Sequence, residues 1–282
     1  MQKPGKGSNN LKILFWSPVH GQTATTSNIL ATSMVAGMYY RKKVVLTQTQ
    51  FSFNNLEAPI VGANAYNAAS KEFFREIGID TLIRCFKAAK LDKETLENCC
   101  IALENTNILL LPGTSKTIKE SFEYEMEAVI VNLLKAMEAI YGVIFVDICS
   151  GENSLSMKLL EEADLVVINL SQNLSVLDLF FQQYKDKLSS NVFYLFGKYD
   201  CNSKYNINNI RRKYRKMITQ KNSGVIPYHT GYMDAQTDGK VVEFFRDNLN
   251  CSKKDEAYYF MLKVKNATEK ILKQAGIYIE GK

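Results

Sequence analysis

The chain has 282 residues, and 46% of them are hydrophobic, which is enough for a sizeable buried core. Its 35 basic and 29 acidic residues are interspersed and give a net charge of +6, a weaker balance than the strongly basic footprint of a dedicated nucleic-acid-binding protein. No apolar run approaches the roughly 20 residues that span a bilayer. The six cysteines have no CxxC spacing of the kind that binds metals. These features predict a cytoplasmic protein with reduced thiols and no transmembrane segment.

Short apolar runs alternate with longer segments of helical periodicity along the chain. The predicted strands, rich in β-branched and aromatic residues, are 11–16, 43–47, 108–111, 143–148, 165–169, 192–196 and 224–227. The predicted helices are 26–40, 70–89 with a break near Gly78, 118–140, 154–162, 174–188, 241–247 and 255–275. Continuous apolar strands separated by helices are typical of a parallel sheet covered on both faces. We therefore predict a flexible lead-in over residues 1–10 and a single doubly wound, mostly parallel α/β domain over residues 11–282.

The segment after the first predicted strand has the layout of a phosphate-binding loop. It reads SPVHGQTATTSNILA from Ser17 to Ala31 and leads directly into a predicted helix. In such a loop the backbone N–H groups and the helix N-terminus hold an anion, so a strand, a tight glycine-containing turn and a helix must follow in that order. The lysine that would neutralise the phosphates is absent from this segment.

Together with the loops after the later strands, this segment resembles the ParA/MinD family of deviant Walker ATPases, which includes the TadZ/CpaE-type localisation proteins of pilus assembly. The resemblance runs from Lys12 to about Phe245. The family pattern KGGVGKTT lies over residues 19–26, and Gly21 and Thr25 are among its matches. The resemblance implies a P-loop-type fold and a homodimer, with ATP as ligand and Mg²⁺ present only together with the nucleotide.

Several charged positions of the family pattern are occupied by uncharged residues. Val19 and Ala24 take the places of its two lysines, and Thr23 replaces a glycine. Gln48 and Gln50 take the places of the aspartate pair after the second strand. A carboxylate without its lysine and its metal would be an unpaired buried charge, so amides are what a metal-free site tolerates. The resemblance is therefore to a degenerate member that has lost catalysis.

The segment after the strand 143–148 resembles the family's DxxxG pattern, with Asp147 and Gly151 at its ends. On this resemblance Asp147 would orient a metal-bound water and, with Thr25, hold Mg²⁺ if nucleotide binds. The alternative is a strand-end carboxylate held by hydrogen bonds from a neighbouring loop. No catalytic residue is predicted. The predicted nucleotide contacts are Gly21, Gln22, Thr23, Ala24, Thr25, Thr26, Asp147 and Gly151.

Later segments carry the resemblance without carrying chemistry. Residues 225–228 and 234–241 are similar to the family's VIPYD and EAQ..GKPV stretches. Gly197 replaces the asparagine that reads adenine in the family. The basic run Arg211–Lys216 predicts a solvated helix face, which argues against a nucleic-acid partner. Helical spacing in the last helix predicts a core-facing side formed by Phe260, Val264, Ala267, Ile271 and Ala275.

Two functional hypotheses follow. In the first, the chain is a non-catalytic or weakly nucleotide-binding localisation or scaffold factor, recruited to a pole or membrane complex by protein partners such as a secretion or pilus ATPase. Its binding face would lie around Pro18–Gln22 and Gly151–Asn153. In the second, it is an active ATPase of DNA or plasmid partition in which Lys116 or Lys198 supplies the missing charge. The coordinated loss of charged positions favours the first.

Overall fold

The computed structural model describes residues 11–51, 56–62, 76–188 and 191–279. Within them lies one eight-stranded sheet in the order β3-β4-β2-β5-β1-β6-β7-β8, parallel throughout except for the β3–β4 pair. The strands are β1 (Leu11–Trp16), β2 (Val44–Gln48), β3 (Ile101–Ala102), β4 (Ile108–Leu110), β5 (Val143–Asp147), β6 (Leu165–Leu170), β7 (Val192–Tyr199) and β8 (Ser223–Pro227). The predicted doubly wound, mostly parallel α/β fold is confirmed.

The helices of the described residues cover both faces of this sheet. They are α1 (Thr25–Met34), α2 (Ala58–Val61), α3 (Ile79–Lys87), α4 (Lys93–Asn98), α5 (Lys119–Tyr141), α6 (Ser154–Glu161), α7 (Leu174–Leu179), α8 (Ile207–Lys213), α9 (Thr230–Asp238), α10 (Val241–Asn248) and α11 (Tyr258–Gln274). Helix α1 continues as a π-helical turn at Val35–Tyr39, and α7 continues at Phe180–Tyr184. The first part of the predicted helix 70–89 lies outside the described residues.

The hydrophobic core forms two layers, one on each face of the sheet. On one face, strand side chains such as Phe15 and Phe145 pack against α1 and α11. On the other face, Trp16 and Val146 pack against α5. Burying one such large side chain contributes about 1.5–3 kcal/mol, so the two layers account for the near absence of polar residues in the strands. The predicted core-facing side of α11 is confirmed, since its five residues are at most 9% exposed.

The amino ends of the strands are joined by a buried ion cluster. The Lys12 ammonium lies 2.5 Å from the Glu138 carboxylate of α5 and 3.2 Å from that of Asp164, which precedes β6. The same Asp164 carboxylate accepts the Lys12 backbone N–H at 2.9 Å. Burial would lower the pKa of the Lys12 ammonium, but hydrogen bonding and charge attraction from Glu138 and Asp164 outweigh it and raise that pKa. This cluster ties β1, α5 and β6 together at the end opposite the phosphate-type loop.

Candidate functional site

The loop between β1 and α1 is stabilised by hydroxyl groups and not by charge. Thr23 is buried, and its hydroxyl donates to the Ser17 hydroxyl at 2.8 Å. The Ser17 hydroxyl in turn donates to the Val19 carbonyl at 2.8 Å. Gly21 has a φ of 73°, a left-handed conformation that glycine adopts at no steric cost. Both Gly21 and Gln22 are exposed to solvent. The loop therefore turns outward at its tip and is anchored at its base.

The first turn of α1 carries free backbone donors. Ala24, at its N-cap, has a φ of 58° and provides no side-chain cap. The N-terminal N–H groups of a helix lack intrahelical partners, so they are available to an anion. The Thr25 hydroxyl lies 3.2 Å from the Thr23 hydroxyl. Thr25 thus faces the loop, while Thr26 faces the sheet.

Asp147 ends β5 in a fully buried position beside α1. Its Oδ2 accepts a hydrogen bond of 2.7 Å from the Thr26 hydroxyl. Its Oδ1 has no hydrogen-bond partner among the residues that the structure describes. Burial raises the pKa of this carboxyl to about 7, although the Thr26 hydroxyl and the nearby Gln50 amide act in the opposite direction. The structure thus shows a strand-end carboxyl that accepts a hydrogen bond from the neighbouring helix α1.

Gln48 lies next to Asp147 in the parallel register of β2 and β5, so their side chains share the α1 face of the sheet. The Gln48 amide donates to Glu57 at 3.0 and 3.3 Å and accepts the Leu56 N–H at 3.2 Å. Glu57 also accepts the Gly113 N–H. Burial raises the pKa of the Glu57 carboxyl to about 7, and the hydrogen bonds from Gly113 and Gln48 oppose that rise. Gln48 is therefore fully engaged within the protein.

A buried amide pair, which the sequence patterns do not single out, supports the loop from below. The Asn28 amide donates to the Thr23 carbonyl at 3.1 Å and to the Asn169 side chain at 2.8 Å. Asn169 donates to the Trp16 carbonyl at 3.2 Å. The sequence offers a signal only for Asn169, which interrupts the otherwise apolar strand β6.

Gly197 of β7 packs directly on this pair. A Cβ atom at this position would lie 2.5 Å from the Thr23 carbonyl oxygen and 2.7 Å from the Asn28 amide nitrogen. No side chain fits there unless the loop shifts. An asparagine at position 197 would therefore require the loop to shift before its side chain could reach a base.

Gly151 contacts the base of the loop, and α9 contacts the first turn of α1. The Gly151 N–H donates to the Ser17 carbonyl at 2.8 Å, and its own carbonyl accepts the Trp16 indole N–H at 3.2 Å. From α9, the Tyr232 hydroxyl donates to the Ser27 carbonyl at 2.6 Å, and the Ser27 hydroxyl donates to Gln236 at 2.6 Å. The segment 234–241 thus touches the first turn of α1.

The two lysines considered as replacements differ in their surroundings. Lys116 is ion-paired with Glu125 of α5. Lys198 is exposed, forms no ion pair among the described residues, and has a φ of 47° at an irregularity in the β7–β8 pairing. Its neighbour Gly197 is the residue that contacts the loop. His20, at the loop tip, is exposed to solvent.

ATP with Mg²⁺ is the group that such a loop would hold, and the residues fit it only in part. The backbone donors of the loop and α1 suit a phosphate oxygen. The charged part does not fit, because Ala24 offers no cation, Gln48 is bound to Glu57, and Asp147 is a buried carboxyl of raised pKa. Among the described residues, no three His, Cys, Asp or Glu side chains are grouped so as to hold a metal ion.

No protein-family model and no curated protein sequence matches the chain. Solved structures do match it over nearly its whole length. A ParA family ATPase from Chlorobium tepidum has a TM-score of 0.69 at 15% identity, covering 92% of this chain and 99% of its own. MinD from Pyrococcus horikoshii in complex with Mg-ADP has a TM-score of 0.65 at 16% identity, covering 94% and 97%. A chain of the MinC:MinD cell division complex from Aquifex aeolicus has a TM-score of 0.56 at 15% identity, covering 96% and 98%.

Identities this low establish architecture and not chemistry. The described helices include none with both the length and the apolarity needed to cross a bilayer. The resemblance to TadZ/CpaE-type proteins, the loss of catalysis and the individual nucleotide contacts stay predictions. The chain has the fold of the ParA and MinD ATPases.

Proposed function

We propose that this chain is a localisation or scaffold protein with a ParA/MinD fold that binds nucleotide weakly or not at all and does not hydrolyse it. The observation that carries the proposal is the state of Asp147. In phosphoryl transfer a strand-end carboxylate contributes by holding Mg²⁺ as a charged ligand. Here the Asp147 carboxyl is fully buried and accepts a hydrogen bond from Thr26, and burial raises its pKa to about 7. The described side chains place no cation near it.

The remaining polar groups of the site support the same proposal. Gln48 is bound to Glu57, and the Thr23 hydroxyl is bound to Ser17. These groups stabilise the loop, so what the site offers a phosphate is mainly the N-terminal N–H groups of α1, which has no side-chain cap. Backbone donors alone bind a phosphate weakly, because the charge of the triphosphate stays unneutralised.

Calorimetric titration with ATP, with and without Mg²⁺, followed by a turnover assay, tests the proposal. We expect weak or absent binding that Mg²⁺ does not strengthen, and no turnover. Restoring the loop cation by Ala24→Lys should tighten ATP binding, whereas the neutral Ala24→Met should not. Micromolar, Mg²⁺-dependent binding with hydrolysis that is lost in Asp147→Ala would overturn the proposal.

The scaffold role predicts a protein-binding face around Pro18–Gln22 and Gly151–Asn153. The exposed loop tip and the MinC partner of the Aquifex aeolicus neighbour support this part of the proposal. A homodimer formed through this face should dissociate in the Gln22→Arg variant and persist in Gln183→Arg, which places the same charge on an exposed residue elsewhere. Sedimentation velocity on both variants distinguishes the outcomes, and equal behaviour would refute the assigned face. A TadZ/CpaE-like role in siting a secretion or pilus ATPase is the most specific form of this proposal.

One observation favours an active ATPase as the second candidate. Lys198 is exposed on strained backbone, next to the residue that touches the loop. In this alternative Lys198 provides the charge missing at Ala24, and the chain acts in DNA or plasmid partition. Loss of ATP binding in Lys198→Met but not in Lys116→Met would support it.

A further inference from the structure

A second polar cluster lies at the amino end of β8, away from the loop after β1. Arg211 of α8 donates from Nε to the Ser223 hydroxyl at 2.9 Å and from Nη2 to the Ser223 carbonyl at 3.4 Å. Lys270 of α11 donates to the same carbonyl at 3.2 Å and to the Gln220 carbonyl at 2.8 Å. Helices α8 and α11 pack on opposite faces of the sheet. Two cations therefore reach round an edge strand and meet at one residue.

Neither cation of this cluster has a carboxylate partner among the described residues. Glu269, the acidic residue whose charge acts on Lys270, accepts the Lys273 ammonium at 2.5 Å. The surrounding segment 201–223 contains no Asp or Glu. Its basic residues are Lys204, Arg211, Arg212, Lys213, Arg215, Lys216 and Lys221. Among the described residues, Arg211 and Lys270 therefore have no direct ion-pair partner, and Glu269 acts on Lys270 only through its more distant charge.

The environment of the cluster penalises this arrangement. Arg211 and Lys270 are both half-buried. Burial, together with the charges of Arg211 and Lys263, lowers the pKa of the Lys270 ammonium, and burial lowers that of the Arg211 guanidinium. Placing like charges together in a partly desolvated position costs free energy unless an anion neutralises them.

Both side chains keep donors for such an anion. A guanidinium has five N–H groups and an ammonium has three, and the hydrogen bonds to Ser223 and Gln220 use two of each. The free guanidinium edge can bind two oxygens of one oxyanion, and the free ammonium proton can bind a third. The two cations together match the charge of a doubly charged tetrahedral anion, whereas a carboxylate would balance only one of them.

We propose that Arg211 and Lys270 form a binding site for a phosphate group at the amino end of β8, distinct from the loop site after β1. The ligand is either free inorganic phosphate or the phosphomonoester of a larger molecule. The hydrogen bonds to Ser223 hold the two main cations in place, and the anion completes their charge balance.

Calorimetric titration of the full chain with inorganic phosphate, at constant ionic strength set with chloride, tests this site. We expect saturable binding that Arg211→Gln and Lys270→Gln each weaken by about tenfold, the cost of one charge-assisted hydrogen bond. Arg212→Gln is the matched control, because Arg212 is the exposed neighbour on the same helix, and its affinity should stay within about twofold. The Ala24→Asp variant, which places a negative charge beside the backbone donors of the loop, should bind phosphate at this site normally, which separates this site from the loop.

Two further arms keep the test decisive. Lys263 does not contact Ser223, so the Lys263→Gln variant should fold normally even if Arg211→Gln does not. It should weaken phosphate binding by about threefold, because the Lys263 charge acts on Lys270 from a distance. Glycerol 3-phosphate tests the source of the anion, since tighter binding than that of inorganic phosphate identifies a phosphomonoester. Absence of saturable binding by the wild-type chain at about 50 mM phosphate, unchanged affinity in Lys270→Gln and Lys263→Gln, or equal weakening by Arg212→Gln would overturn the proposal.

Discussion

The two ends of the sheet solve the problem of buried charge in opposite ways. At the amino end, Lys12 is paired with Glu138 and Asp164, and these partners raise the pKa of its ammonium in spite of its burial. At the carboxyl end, Asp147 and Glu57 are equally buried but have no cation beside them, and their pKa values rise to about 7. A buried carboxyl is stabilised either by a partner or by giving up its charge. The amino end is therefore held by ion pairs, while the carboxyl end contains two carboxyl groups whose burial favours the protonated form.

The largest expected effect follows from removing the cation of the amino end. Lys12→Ala should lower the free energy of unfolding by about 3 kcal/mol, because it leaves two carboxylates unpaired, one of them buried. Urea denaturation provides the measurement. The control variant Lys273→Ala removes an exposed ion pair to Glu269. It should change the free energy of unfolding by less than about 1 kcal/mol. Equal losses in the two variants would contradict the contrast between the ends.

The carboxyl end should show its character in the pH dependence of stability. The folded-state pKa of Asp147 is raised from 3.8 to about 7, so the folded chain binds more protons than the unfolded chain between these values. Stability should therefore fall as pH rises through this window. Asp147→Asn should remove part of this slope and be more stable than wild type at about pH 8 by about 2 kcal/mol. Urea midpoints at pH 5 and 8 that shift in parallel for the two proteins would argue against it.

The support beneath the loop is tested by restoring the side chain that the family pattern expects. Gly197→Asn should destabilise the chain by about 1–3 kcal/mol, because its Cβ would overlap the Thr23 carbonyl. Gly197→Ala should have a similar effect if the first side-chain atom is responsible. Thermal unfolding of both variants provides the measurement. A stable Gly197→Asn protein that binds ATP would show that the loop can shift to accommodate the new side chain.

The smallest effect is expected at the start of α1. Ala24 holds a left-handed conformation with a φ of 58°, which glycine adopts without strain. Ala24→Gly should raise the free energy of unfolding by about 0.5 kcal/mol. Ala31→Gly, inside the same helix, should lower it by at least about 1 kcal/mol. A destabilised Ala24→Gly variant would mean that the methyl group has a packing role.

The local patterns of the sequence predict most of the fold. Strands β1, β2, β4, β5, β6 and β8 lie within a residue or two of their predicted bounds, because parallel strands buried on both faces must be continuously apolar. Strand β7 runs to Tyr199, beyond the predicted residue 196, since its end contains Gly197 and the exposed Lys198. Helices α2, α4 and α9 and strand β3 are too short or too polar to show a clear period.

The position of the candidate site follows from the sequence, but its interior does not. That a loop joins β1 to α1 and that Asp147 ends a strand are confirmed. The hydrogen bond between Asn28 and Asn169 joins residues that are distant in the sequence. The hydrogen bond between Gln48 and Glu57 spans an irregular segment after β2. Hydrophobic periodicity carries no information on such polar contacts, so neither the hydrogen bonds of Gln48 nor the steric limit at Gly197 follows from the sequence.

The indole of Trp16 gives the chain an internal optical probe. It belongs to the only tryptophan in the sequence, is fully buried, and donates its N–H to Gly151 beside the loop. Its fluorescence therefore arises from one place, with Tyr184 5.0 Å away as an edge-on ring neighbour. If displacement of the Gly151 segment exposes the indole to water, its emission should move to longer wavelength. Occupancy of the loop can thus be followed in the unlabelled protein, while binding at the amino end of β8 should leave this emission unaltered.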